Sequence, residues 1–235
     1  MKTGKWYYRN MKEYGIELVR GHILMVDDRG SKVLVDTGSP LSFHSDGVVA
    51  IDGETAKVPT DLMVADSDYV TRNVGTKVDG LVGMDLLAEK GVLIDVPGGR
   101  LVFGQPIQGM TKVPSRYLRV PILGGGYMSV EMEIRGKRVK VIVDTGAPVS
   151  YVAPSLTEGL AAKETVKDFN PGAGEFETPV FEFPAAFAGQ AFEMRAGHLP
   201  KRLQLEIGLL GMDGVVGMEL LRRQPMLLAE GSVWI

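Results

Sequence analysis

Two carboxylates stand at matching places in this chain, each where an apolar run stops. Val33-Leu34-Val35-Asp36-Thr37-Gly38-Ser39-Pro40 returns in the second half as Val141-Ile142-Val143-Asp144-Thr145-Gly146-Ala147-Pro148. A lone Asp-Thr-Gly is an ordinary turn, because short polar residues and glycine accept unusual backbone angles. Two of them make a candidate pair. Carboxyls brought close together cannot both ionise cheaply, so one keeps its proton while the other stays an anion. Such a pair can hold a water: the anion takes a proton from it while the protonated partner supports a carbonyl oxygen. Amide hydrolysis needs this arrangement when neither a metal nor a covalent nucleophile is at hand.

The β-branched runs ahead of Asp36 and Asp144 read as buried strands that would hold the turns in place. Behind each turn follows a second matched stretch, Asp79-Gly80-Leu81-Val82-Gly83-Met84-Asp85-Leu86-Leu87 and Asp213-Gly214-Val215-Val216-Gly217-Met218-Glu219-Leu220-Leu221. Its first part sets apolar residues between glycines. Its second part predicts short helices over Met84 to Lys90, stopped by Gly91, and over Met218 to Arg223. Asp79 and Asp213 read as residues closing turns beneath the pair, and Met84 and Met218 as core. A hairpin ends each half, Val92 to Val96 with Arg100 to Phe103, and Met226 to Leu228 with Val233 to Ile235.

The order of elements repeats, so the chain reads as an internal duplication of a mostly β unit. Gly104 to Arg116 lacks apolar periodicity and serves as the connection, giving an N-terminal lobe over 1–110 and a C-terminal lobe over 111–235. The halves differ in their middles. In the first, Asp52-Gly53 signals a hairpin between Val48 and Val58, a candidate flap. Leu62-Met63-Val64 reads there as one more strand, and Asp66 with Asp68 as a solvated turn. In the second, the longer interval carries Pro171-Gly172-Ala173-Gly174, a candidate larger flap or rim loop.

Composition mainly excludes. The 235 residues include no cysteine, which rules out disulfides, thiolate catalysis and cysteine-bound metal. The three histidines, His22, His44 and His198, show none of the short spacings of a zinc site, and neither a metal nor a cofactor is expected. A net charge of −3 with no basic run gives no field for nucleic acid or anionic lipid. No segment is long and apolar enough to span a membrane, and Met1 to Arg9 is polar and aromatic where a secretory signal needs an apolar run. A chain 45% hydrophobic and 23% charged, with 30 glycines, is expected to fold as a turn-rich cytoplasmic monomer.

With both motifs in hand, the whole chain resembles the aspartic peptidases, of the bilobal pepsin-like kind reduced nearly to the size of a retropepsin dimer fused in one chain. The resemblance implies an acid-protease-like double β-barrel with one short helix per lobe. It implies an aspartic endopeptidase acting on a peptide or protein substrate, with Asp36 and Asp144 as the catalytic pair. Thr37 and Thr145 would tie the two turns to each other's backbone. Gly38 and Gly146 would let the backbone approach the carboxyls, with their N–H groups as donors. Ser39 matches the hydroxyl that pepsin-like enzymes place after the glycine, whereas Ala147 is more like the retropepsin turn. Leu81-Val82-Gly83 and Val215-Val216-Gly217 match the element that threads behind each aspartate loop. For substrate contacts, Phe43, His44, Phe169 and Phe176 are the candidates. The first flap departs from the pepsin-like pattern, since no tyrosine occurs between Phe43 and Leu62. The competing reading is a catalytically inactive protein of the same fold that holds a peptide or a partner strand in its cleft.

Overall fold

The computed structural model describes residues 11–235 apart from Val64, Ile122, Leu123 and Gly172. The polar opening Met1 to Arg9, the last residue of the expected strand at 62–64 and one glycine of the 171–174 bend therefore lie outside the described residues. The protein is mostly β, and the strands form two large curled sheets whose internal layout repeats.

In the first half, β1 (Lys12–Val19) turns back through Arg20-Gly21 into β2 (His22–Val26), which pairs antiparallel with β3 (Lys32–Val35). Side chains of a strand point alternately to opposite faces. Ile23, Met25, Val33 and Val35 accordingly enter the main core, while Leu24 and Leu34 face a smaller cluster with Phe43 and Leu81. Both faces are covered, which is why the run before Asp36 is apolar without interruption. After the turn come β4 (Phe43–His44) and, further on, β7 (Gly80–Val82), which runs parallel to β3 and antiparallel to β4. The second half repeats this with β12 (Lys137–Val143), β13 (Ser150–Val152) and β17 (Gly214–Val216). There Val141 and Val143 join the main core, and Ile142 faces a cluster with Tyr151 and Val215.

The helices expected behind these strands are present as α2 (Met84–Lys90) and α4 (Met218–Leu221), each starting on a glycine and each burying its first methionine completely. The second ends two residues before Arg223. Pro225 lies ahead, and the chain must be extended before a proline. Where one helix per lobe was expected, each half has a second: α1 (Ser67–Val74) and α3 (Lys201–Leu209). Asp66 and Asp68 are solvent-exposed as expected, but Asp66 caps a helix where a turn was expected. Its carboxylate accepts from the Tyr69 N–H at 2.7 Å, Gly75 ends the helix in the left-handed region, and Val70 and Val74, one turn apart, are buried. Leu62 and Met63 form no strand. Leu62 closes a short loop with Ala65, and Met63 sits at φ 50°.

The Asp52-Gly53 hairpin forms as β5 (Val48–Ile51) and β6 (Glu54–Lys57), but it is no flap. Val49 and Ile51 are core residues, and Ala50 is tied to the β2–β3 turn by its carbonyl to the Asp28 N–H and its N–H to Asp27. The second half does raise a long hairpin, β14 (Glu164–Asn170) with β15 (Gly174–Phe187), whose turn is the glycine-rich bend. The remaining strands are β8 (Val92–Asp95), β9 (Arg100–Phe103), β10 (Ser115–Val120), β11 (Gly125–Ile134), β16 (Gln190–Gly197), β18 (Met226–Ala229) and β19 (Ser232–Trp234). The closing hairpin β18–β19 does not stay with its own half. It pairs through β18 with β8, so the first sheet runs β19-β18-β8-β9-β1-β2-β3-β7-β4. Among the described residues no helix is long and apolar enough to cross a membrane.

Candidate active site

The parallel pairing of β3 with β7 ends at Val35 and Val82, and the next N–H, that of Asp36, donates to the Val82 carbonyl at 3.0 Å. Asp144 N–H does the same to Val216 at 3.0 Å. Beneath, Asp79 and Asp213 each receive the N–H of the strand opposite, Lys32 at 3.0 Å and Lys140 at 2.9 Å. Each aspartate is thus delivered by a strand end braced from behind. The two turns are then locked together crosswise. Thr37 N–H donates to Thr145 Oγ1 at 2.9 Å and Thr145 N–H to Thr37 Oγ1 at 3.0 Å. The hydroxyls donate in turn to the Val143 and Val35 carbonyls at 2.8 and 2.7 Å. All four bonds are buried. Replacing Thr37 by valine keeps the shape and strips partners from the Thr145 N–H and the Val143 carbonyl. We expect Thr37→Val to lower stability by about 2–6 kcal/mol, read in urea melts, since each of the two buried groups left unpaired costs about 1–3 kcal/mol.

The glycines bring the carboxyls together. Gly38 lies directly on the Asp144 carboxyl and Gly146 on that of Asp36, with no room for a side chain at either. Within each turn the glycine N–H donates to its own aspartate, Gly38 to Asp36 Oδ1 at 2.8 Å and Gly146 to Asp144 Oδ1 at 2.7 Å. The carboxyls also share a hydrogen bond, which favours the ionised form of Asp36 and the protonated form of Asp144. Both open on the cleft on one side and are enclosed by the two halves on every other. That burial pushes both above the ordinary carboxylate range. Asp144 is pushed well above it, because the charge of Asp36 adds to burial, whereas Asp36 is drawn back by the proton of Asp144 and the N–H groups of Gly38 and Ser39. Ser39 supports the pair through this backbone N–H. Its hydroxyl is spent on the Leu41 carbonyl at 2.7 Å.

Over the pair lies a cavity of about 360 Å³. Its walls come from the two small clusters: Leu34, Phe43 and Leu81 on one side, Ile142, Tyr151 and Val215 on the other. Of the four ring candidates, Phe43, Phe169 and Phe176 line it, the last two from the arms of the β14–β15 hairpin. His44 does not. It is buried beside Gly80, with Nδ1 2.6 Å from Asp46. Both halves supply cover: the second gives the hairpin, and the first gives α1 and the loop before it, through Leu62, Ala65 and Val70. The two meet where Tyr69 Oη donates to the Asn170 carbonyl at 3.4 Å and the Tyr69 and Phe169 rings stand edge to face at 5.9 Å. Near the turn of the hairpin the Tyr151 hydroxyl donates to Asp168.

Several residues of the site were not singled out by motif. Ser42 and Ser150 donate nothing to substrate space. They accept the N–H groups of Gly83 and Gly217 at 2.9 and 3.1 Å and fix the ends of β7 and β17, and their equal offset from the two aspartates was a readable signal. Pro40 and Pro148 each press on a glycine of the opposite half. A side chain at Gly125 would strike the Pro40 carbonyl, and a Cβ at Gly21 would stand 2.9 Å from that of Pro148. His22 and Tyr127 occupy equivalent places, two residues before Leu24 and Ser129, which pair with Leu34 and Ile142. Both rings line the cavity. Burial raises the Tyr127 phenol to about 12, with the two aspartates and Glu206 acting in the same direction.

No family model matches the chain, and no curated protein does. Among solved structures, the solution structure of the simian foamy virus (mac) protease aligns with a TM-score of 0.30 at 19% identity, over 39% of this chain and 88% of that one.

Proposed function

We propose that the protein is an aspartic-type endopeptidase that hydrolyses peptide bonds with a water activated between Asp36 and Asp144. What carries the reading is the hydrogen-bonded pair of unequally raised carboxyls at the floor of a cleft between two duplicated halves. Asp36, the more readily ionised, accepts a proton from the water as the oxygen attacks the scissile carbonyl. Asp144 donates its hydrogen bond to the developing oxyanion, and the leaving nitrogen is protonated as the tetrahedral species collapses. The Gly38 and Gly146 N–H groups hold the carboxyls in register through these steps. An extended peptide would lie along the cleft under the β14–β15 hairpin, with side chains directed to the apolar walls.

The test is cleavage of a diverse peptide library between pH 3 and pH 8. Turnover requires Asp36 ionised and Asp144 protonated, so the rate rises as Asp36 loses its proton and falls as Asp144 does. Burial raises both, which sets the bell above the ordinary carboxylate range and carries its upper limb towards neutrality. Chelators and thiol reagents should leave the rate unchanged, and a statine-type hydroxyl, which imitates the tetrahedral species, should block it. Peptides bound but never cut at any pH would favour the inactive binding protein instead.

A further inference from the structure

His22 is the one histidine that reaches the cleft, and nothing in the proposed chemistry uses it. Its side chain lies at the start of β2, and the residue is 3% exposed. The ring hydrogen-bonds the Gly146 backbone. Because the Gly146 N–H is committed to Asp144, the Gly146 group that acts on the ring is its carbonyl. With the proton on Nε2, Nδ1 is a bare lone pair. Nδ1 has no hydrogen-bond partner among the described residues. Burial, with the Arg20 charge acting in the same direction, lowers the ring to about 4, so it is neutral and an acceptor above that pH.

A buried acceptor without a donor gives the free protein nothing. The ring also stands at a junction. On one side is the cavity over the aspartates. On the other a groove of about 550 Å³ runs outward between Arg20 of the first half and Pro148-Val149 of the second. His22, Asp168, Phe169 and Phe176 line both spaces, which makes the groove a branch of the cleft. Phe169 covers the imidazole, ring centres 5.6 Å apart.

We propose that this branch is a substrate subsite in which His22 Nδ1 accepts a hydrogen bond from a hydroxyl or carboxamide side chain of a bound peptide, with Phe169 turning aside to admit it. The proposal rests on the peptide reading of the cleft. Other side chains fit less well: an apolar one leaves the lone pair bare, and a carboxylate has no proton to give.

Near-isosteric peptide pairs, threonine against valine and glutamine against methionine at each position, give the test. Their binding is measured on the Asp36→Asn protein, so that the answer does not depend on cutting. At one position the donor member should bind about tenfold more tightly, as one hydrogen bond allows. Adding His22→Phe, or the smaller His22→Leu if phenylalanine does not fold, should bring that ratio to about one. His22→Gln, which can keep both bonds, should preserve it. The ratio is read within one variant, so a general weakening cancels. A ratio near one at every position, a preference that survives loss of the imidazole, or no binding at all overturns the subsite. A preserved ratio in a protein that cuts nothing at any pH would overturn the peptidase reading and leave the subsite standing.

Discussion

Asp36→Asn and Asp144→Asn should each lower turnover by at least about 10³-fold while making the folded protein more stable at pH 7. The loss follows from the division of labour. Asparagine at 36 cannot take a proton from water, and asparagine at 144 cannot be the carboxylic acid whose proton the pair shares, and general acid–base steps are each worth about 10²–10⁴-fold. The gain follows from linkage. Both carboxyls titrate higher in the folded chain than in the unfolded one, so their contribution to stability is fully present below about pH 4 and is lost as pH rises through the folded values. At pH 7 the native fold keeps an ionised carboxyl where water is scarce. The amide removes that burden and can still bond its neighbour. Melting curves at pH 7 should therefore place both variants above the parent, and the difference should close towards pH 4. A variant that melts below the parent at pH 7 would show that the carboxyls hold the halves together.

Gly38→Ala and Gly146→Ala should be nearly as damaging to activity, and destabilising as well. A methyl at Gly38 would lie well inside contact distance of every atom of the Asp144 carboxyl. One at Gly146 would stand 2.6 Å from Asp36 Oδ1. Real side chains do not tolerate such approaches, so the carboxyls must part or the turns must separate against the crossed threonine bonds. Displacing a reacting group by about 1 Å is worth about 10²-fold in rate. We expect at least that for Gly146→Ala and more for Gly38→Ala, where the overlap is deeper. Steady-state rates beside melting temperatures would check this. Full activity in either variant would mean that the carboxyls are free to choose their spacing.

The parts of the site that were legible from the sequence are those written twice. The turns at Asp36 and Asp144, the glycine-ended strands behind them and the helices after those strands each recur at matching places, and duplication turned ordinary tripeptides into a pattern. Ser42 and Ser150 obey the same rule, and so does the ring after a glycine in Gly21-His22 and Gly126-Tyr127, but only pairing register reveals what these residues touch. The Asp52-Gly53 signal was correct about the reversal and silent about its place, since a turn residue reports local backbone angles and not what the hairpin packs against. Helix α1 carried its marks, Asp66 before and Gly75 after, around buried Val70 and Val74. The branch beneath Phe169 had no local mark, because residues from four separate segments meet there.

The pairing of β18 with β8 bears on how this protein is made. Val92–Asp95 leaves the ribosome long before Met226–Ala229 exists, and until then one rim of the first sheet offers unpaired amides to whatever strand comes near. The same late strand ends the half that carries Asp144. Completion of the first half and of the second are thus a single event that waits for Met226–Ala229. A nascent or prematurely stopped chain would expose the Val92–Asp95 edge to chaperones and to other unfinished copies before it could assemble the aspartate pair.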